Sequence, residues 1–278
     1  MNYFERAKKY RAKKRLGQNF LIDNNVIDDI INAANITKND TVVEIGAGLG
    51  FVTEQLINFA KKVIAIELDE DMINELQKID ADNLKIVHSD ILKTDISQFG
   101  ANIKVVANIP YYITSPIIAH LLGEVDDLDN KNRNAISEII MMTQLEAAKR
   151  ITANENSEQK AYGLLSILSQ FYADTEIIRF VGAKSFFPAP KVNSAIIKFY
   201  VNKNPRLKLS DYSFFKKVAK ACFGTRRKNL KNSLLIGGFS KTAIQKTLVD
   251  LDLSENIRGE TLSIEKIGEL SEKLRNNV

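Results

Sequence analysis

Between residues 26 and 107 the chain alternates two hydrophobic patterns. Val26, Ile27, Ile30, Ile31 and Ala34 fall on one face of a 3.6-residue repeat, which predicts a helix, with Asp23 or Asn24 placed to cap its start. Thr41-Val42-Val43-Glu44-Ile45 is a short, unbroken apolar run rich in β-branched residues and ending in glycines, which predicts a strand. The alternation continues with a helix over 51–59, a strand over 63–67, a helix over 71–79, and strands over 84–87 and 103–107. Runs that are apolar throughout suit strands buried on both faces, and strands separated by helices build a parallel, doubly wound sheet.

Further along, a helix is predicted over 115–122, a polar surface loop over 124–134, a fifth strand over 139–142, a helix over 161–171 and a terminal strand over 193–200. Near Asn202-Lys203-Asn204-Pro205 the pattern changes, and everything beyond reads as helical and more basic, broken at Gly237-Gly238 and Gly259. The fold class expected is therefore α/β, a Rossmann-like sheet over 1–203 with a basic N-terminal arm, followed by a small helical domain over 204–278. No internal repeat or low-complexity tract interrupts this plan.

Charge and composition narrow the partners. Lys and Arg number 39 against 34 Asp and Glu, a net charge of +5, so where the excess lies matters more than its size. Basic residues crowd Arg6 to Arg15 and recur at Arg226, Arg227, Lys228 and Lys231, the kind of cluster a phosphate backbone meets. One cysteine, Cys222, excludes an internal disulfide and suits a reducing compartment; its apolar neighbours mark it as a buried thiol. With that cysteine and two separated histidines, His88 and His120, no zinc spacing can be assembled, and no metal is expected. No apolar run approaches the length that spans a bilayer. The basic start lacks serine and an apolar signal core, so it reads as the arm of a cytoplasmic protein.

The chemistry concentrates at strand ends. Glu44-Ile45-Gly46-Ala47-Gly48-Leu49-Gly50 follows the first strand and opens a helix, where glycines let a ligand approach the main chain. An acid inside this turn disfavours a pyrophosphate and suits a sulfonium cation. Glu67 ends the second strand, placed to accept from ribose hydroxyls, and Asp90 follows the third, placed to accept from an adenine amine. Three acids closing three successive strands point to S-adenosylmethionine. The fourth strand ends in Asn108-Ile109-Pro110-Tyr111. The Asn108 carbonyl and a backbone carbonyl near Pro110 can accept both hydrogens of an exocyclic amine and favour its pyramidal form, while Tyr111 can stack on the base.

That tetrapeptide, with Gln18-Asn19-Phe20-Leu21 ahead of the first strand, resembles the ribosomal RNA adenine N6-dimethyltransferase family, and the likeness covers almost the whole chain. Within the family, Lys14-Arg15-Leu16-Gly17-Gln18-Asn19-Phe20-Leu21, Phe186-Phe187-Pro188-Ala189-Pro190-Lys191-Val192-Asn193-Ser194 and the segment from Phe223 to Leu234 look like the bacterial small-subunit branch. The resemblance implies dimethylation of two adjacent adenosines in the 3′-terminal hairpin of 16S rRNA, within the small ribosomal subunit and late in its maturation. It implies that Asn19 and Leu21 close over the cofactor, Gly46 lies beneath it with Gly48 also in its binding site, and Glu67 and Asp90 bind its ribose and adenine, with Asn108 serving both cofactor and amine. Phe186 would sandwich the flipped base against Tyr111. Phosphate contacts are expected from Lys13, Lys14, Arg226, Arg227 and Lys228, and nothing demands more than a monomer.

Tyr112 departs from the family, which often has Asn there; Ser115 stands where Thr is common and Leu164 where Arg is frequent, and the 126–134 stretch is longer than usual. Two other readings share the fold: a macrolide-resistance type of enzyme acting on large-subunit RNA, and a non-catalytic RNA-binding assembly or transcription factor. The complete Pro-Ala-Pro-Lys-Val-Asn-Ser motif and the basic late segment argue against the first; the intact tetrapeptide and cofactor set argue against the second.

Overall fold

The computed structural model describes residues 2–157, 161–225 and 227–277, with the Tyr111 side chain outside that description. Its strands are β1 (Phe20–Leu21), β2 (Thr41–Ile45), β3 (Lys62–Glu67), β4 (Leu84–His88), β5 (Ile103–Asn108), β6 (Ile136–Gln144), β7 (Ala173–Val181), β8 (Phe186–Phe187) and β9 (Ser194–Val201). The helices are α1 (Tyr3–Ala7), α2 (Asn24–Ala34), α3 (Thr53–Phe59), α4 (Glu70–Leu76), α5 (Thr114–Leu122), α6 (Lys131–Ala135), α7 (Leu145–Thr152), α8 (Leu164–Gln170), α9 (Tyr212–Gly224), α10 (Leu230–Ile236), α11 (Lys241–Asp250) and α12 (Ile264–Asn276). Among the described residues no helix is long and apolar enough to cross a membrane.

Seven strands form one sheet in the order β4-β3-β2-β5-β6-β9-β7. The pairs from β4 to β6 are parallel, and β9 joins β6 and β7 antiparallel. Val42, Val43, Val63, Ile64, Val105 and Ile139 are all at or below 1 % exposure, as two-sided burial requires. The α/β, Rossmann-like architecture expected from the alternating pattern is what the chain adopts. At α2 the Asp23 carboxylate caps the helix by accepting from the Asn25 N–H.

The chain divides into two compact units. The first takes Met1–Gly123, Asp129–Lys149 and Ala173–Lys203; the second takes Glu124–Leu128, Arg150–Tyr172 and Asn204–Val278. The second unit thus draws on two segments that the sequence reading grouped with the sheet. Its core gathers Val125, Phe171, Tyr172, Phe215, Leu234 and Leu270, and the Tyr172 hydroxyl donates to the Val125 carbonyl at 3.1 Å. Cys222 lies in this core, and burial pushes its thiol up to about 12, the inert state expected of it.

Three local expectations change. The 126–134 stretch is not simply a loop: Asn130 caps α6, and Arg133 is fully buried, donating to the Leu122 carbonyl at 2.7 Å. The helix over 51–59 starts only at Thr53. The edge strand β7 was not anticipated: its burial alternates regularly, but Ile178 and Phe180 fall on the exposed side and Arg179 on the other, so the residue types do not trace the alternation.

Candidate functional site

The connections leaving β2 and β5 diverge on either side of the sheet, so a crevice opens at the carboxyl ends of these strands, the usual ligand position in such folds. A single cavity in the first unit is lined there by Glu44, Gly46, Gly48, Glu67, Asp90, Asn108 and Pro110, together with Asn19, Leu21 and Phe186. The structure therefore brings together nearly every residue singled out for cofactor and base.

Gly46 has a positive φ of 74°, and a Cβ there would stand 3.0 Å from the Asn108 carbonyl oxygen. Only glycine lets the turn after β2 lie this close to the end of β5. The Glu67 carboxylate accepts from the Gly48 N–H at 2.8 Å through one oxygen, and from the Leu68 and Asp69 N–H groups at 2.8 and 2.9 Å through the other. These bonds fix its orientation and use three of its roughly four acceptor sites. Capacity remains for about one further donor. Asp90 caps the short turn Ile91–Lys93 by accepting from the Leu92 N–H at 3.0 Å through Oδ1. Its capping role and its position in the cavity coexist.

Glu44 behaves differently from the other acids. Its carboxyl is 3 % exposed, and the Thr53 hydroxyl donates to it at 2.5 Å. Burial pushes it up to about 8; the Thr53 hydrogen bond works against that shift and the nearby Glu67 charge adds to it. Burial thus disfavours the ionised form, and the Thr53 bond ties β2 to α3 beside the cavity.

The N-terminal arm completes the cavity wall. β1 pairs antiparallel with β8, Leu21 opposite Phe186 and Phe20 opposite Phe187, so two motifs far apart in sequence form one ribbon. Leu21 and Phe186 are each 3 % exposed. The Asn19 amide donates to the Gly17 carbonyl at 3.0 Å. The Pro110 carbonyl accepts from the Ile113 N–H at 3.2 Å, closing the turn after the tetrapeptide. The expected sandwich between Phe186 and Tyr111 involves a side chain outside the described residues.

A clamp invisible in the sequence holds the arm. The Lys13 ammonium contacts Asp69 at 2.5 Å and Asp71 at 2.6 Å. Gln18 accepts from the Lys13 N–H at 2.8 Å and donates to Asp69 at 2.7 Å. Burial pushes the Asp69 carboxyl up, but bonds from Lys13, Gln18 and the Asp71 N–H outweigh it and leave it below the usual carboxylate range. The same carboxylates hold the Lys13 ammonium above its ordinary value. Lys13 is thus ion-paired within the first unit, with its side chain still 32 % exposed. Lys14 is exposed in the first unit, Arg227 and Lys228 in the second; Arg226 lies outside the described residues. Among the described residues no group of His, Cys, Asp and Glu is arranged to hold a metal ion.

Comparison with known proteins identifies the chain's relatives. The model of the ribosomal RNA adenine dimethylase family matches residues 9–273. Ribosomal RNA small subunit methyltransferase A of Clostridium botulinum (strain Langeland) is 43 % identical, over 98 % of each chain. A dimethyladenosine transferase from Plasmodium falciparum is 28 % identical over 90 % of this chain and 95 % of its own, with a TM-score of 0.73. A 23S rRNA methyltransferase, ErmE, is 25 % identical over 92 % of this chain and 100 % of its own, with a TM-score of 0.68. By the family match and the full-length identity alike, the chain belongs to the ribosomal RNA adenine dimethylase family.

Proposed function

We propose that the chain transfers methyl groups from S-adenosylmethionine to N6 of two adjacent adenosines in the 3′-terminal hairpin of 16S rRNA, giving N6,N6-dimethyladenosine within the maturing small subunit. The observation that carries this reading is the convergence of Asn108, Gly46, Glu67 and Phe186 on one cavity at the carboxyl ends of the central strands. The acceptor-rich wall suits a nucleoside: Glu67 has capacity for a ribose hydroxyl, and the second oxygen of Asp90 for an adenine amine. S-adenosylmethionine supplies an electrophilic methyl group on a sulfonium.

The residues of the chain supply position. A planar exocyclic amine is a weak nucleophile because its lone pair is delocalised into the ring. Asn108, at the last position of β5, accepts one amine hydrogen through its side-chain carbonyl; a main-chain carbonyl of the Ile109–Pro110 step accepts the other. Both bonds favour the pyramidal nitrogen and aim its lone pair. Tyr111 and Phe186 stack on the everted base. No strong general base is needed, because the methylated product is an ammonium that loses its proton readily. Most of the rate arises from alignment, so Asn108→Ala lowers methylation on the order of 100-fold or more. Lys14, Arg226, Arg227 and Lys228 contact phosphates, and the chain acts as a monomer in the cytoplasm.

The test is methylation of undermethylated small subunits with labelled S-adenosylmethionine, with the product nucleoside identified and mapped. N6,N6-dimethyladenosine at adjacent positions of the 3′-terminal hairpin is expected. Label on large-subunit RNA instead would move the chain to the resistance-type activity. Cofactor binding without any label would make it a binding factor.

A further inference from the structure

We infer that Tyr112 is a second base-stacking residue, which holds the nucleotide flanking the everted adenosine. The inference rests on the functional reading above and adds to it a subsite at the mouth of the cavity.

Tyr112 lines the same cavity as Asn108 and Pro110, yet it is 64 % exposed. An isolated exposed aromatic is ordinary. This one differs in being at the rim of a reaction site and in being held there by a fitted neighbour. Gly17 of the arm lies against it: a Cβ on Gly17 would stand 3.2 Å from Cε1 and 3.5 Å from Cδ1 of the ring, and 3.0 Å from Cβ of Pro110. Gly17 also has a positive φ of 60°, so both its backbone angle and its missing side chain serve this approach. The contact runs along one edge of the ring. Gly17 of the arm thus closes that edge of the ring while much of its surface stays open to solvent.

The reaction creates a need for such a surface. Everting one base strips its neighbour of a stacking partner, and a neighbour left unstacked opposes eversion. Where two adjacent adenosines are modified, the flanking nucleotide is itself a purine with a broad π face. A ring confined along one edge at the cavity mouth offers the replacement stack at a reduced cost in its own ordering. Loss of one base–aromatic stack costs roughly 5- to 150-fold in affinity.

The test compares the full-length wild type with Tyr112→Ala, Tyr112→Phe and Tyr112→Trp on undermethylated small subunits. The readouts are KM for the particle, the single-turnover rate at saturating particle, and the Kd for labelled S-adenosylmethionine. Tyr112→Ala should raise the particle KM about ten-fold or more and leave the cofactor Kd within two-fold of wild type, which also certifies the fold. Tyr112→Phe and Tyr112→Trp should keep the wild-type KM. An unchanged KM for Tyr112→Ala overturns the inference. So does a parallel loss of cofactor affinity, which would assign the ring to the cofactor, or a Phe variant as weak as Ala, which would assign the effect to the hydroxyl. A wild type that labels no ribosomal RNA sinks the functional reading and this inference with it; an active wild type with an indifferent Tyr112→Ala sinks the inference alone.

Discussion

Glu44 shows how one side chain couples the cavity to the stability of the whole sheet. It lies on β2 between valines and glycines, sealed from water, with Thr53 donating to it. Burial first, and the Glu67 charge as well, push it from the ordinary 4.5 up to about 8 against the pull of Thr53. The native state therefore holds a proton that the unfolded chain has already released across that interval. Where the folded value lies above the unfolded one, stability is full below the unfolded value and is lost as pH rises through the folded one. The expected outcome is a urea midpoint that falls between pH 5 and 8 in the wild type more than in Glu44→Gln, which keeps the shape and removes the titration. Other groups titrate alike in both proteins, so the difference between the two curves is the readout. Parallel curves would mean that Glu44 is ionised in the folded state.

At the scale of elements, the arm behaves as a fitted part of the first unit. Tyr3 stacks on Phe51 at 4.4 Å between centroids. Arg6 lies 4.7 Å from the Phe51 ring centroid and contacts Glu54 at 2.6 Å. Downstream, Lys13 and Gln18 grip Asp69, whose own N–H is bonded to Glu67. A continuous chain of hydrogen bonds thus runs from the arm to a cavity carboxylate, and Asn19 follows Gln18 directly. Gln18→Glu would set a carboxylate against Asp69 and open the clamp. A hydrogen bond to a charged group is worth about 1.5–3 kcal/mol, so the KM for S-adenosylmethionine should rise roughly ten-fold or more, with the rate at saturation largely kept. An unchanged KM would show that the clamp does not bear on the cofactor. None of this was legible in the sequence, because Lys13 and Asp69 are 56 residues apart and only the fold makes them partners. The strands β2, β3, β5 and β6 were legible because burial on both faces leaves largely apolar runs, whereas β4, at the sheet edge with no buried residue, showed only through Leu84, Ile86 and Val87. The ribbon of β1 and β8 was not, since two residues carry no period. The cavity-lining residues were legible where they end or follow a strand, as Glu67 and Asn108 end theirs and Gly46 follows β2; the positions of Gln18 and Tyr112 on the cavity depend on contacts made across the chain.

On the scale of the whole molecule, the exposed basic residues are divided between the units. Lys14 shares the first with the cavity residues Asn108, Glu67 and Phe186; Arg227 and Lys228 lie in the second, beside an all-helical core whose onset near residue 204 the change of pattern marks. Membership of Glu124–Leu128 and Arg150–Tyr172 in the second unit was hidden, because it rests on pairings such as Lys216 with Asp126 at 2.7 Å rather than on any local pattern. The basic residues are not equivalent either. Lys231 is paired with Glu255 at 2.8 Å and Lys13 with Asp69 and Asp71, whereas Lys14, Arg227 and Lys228 are exposed. Each phosphate neutralised adds roughly 0.7–0.9 to the slope of log affinity against log salt. Reversing the charge of Lys14, Arg227 and Lys228 together should therefore flatten the slope for small-subunit particles by about two to three, without altering cofactor affinity. Asn108→Ala should do the opposite, removing methylation while leaving particle affinity and its salt slope in place. If the triple variant kept the wild-type slope, the phosphate contacts would have to lie elsewhere on the chain. If Asn108→Ala lost binding in proportion to activity, capture of the base would itself be the main source of particle affinity, and docking and chemistry would not be separable.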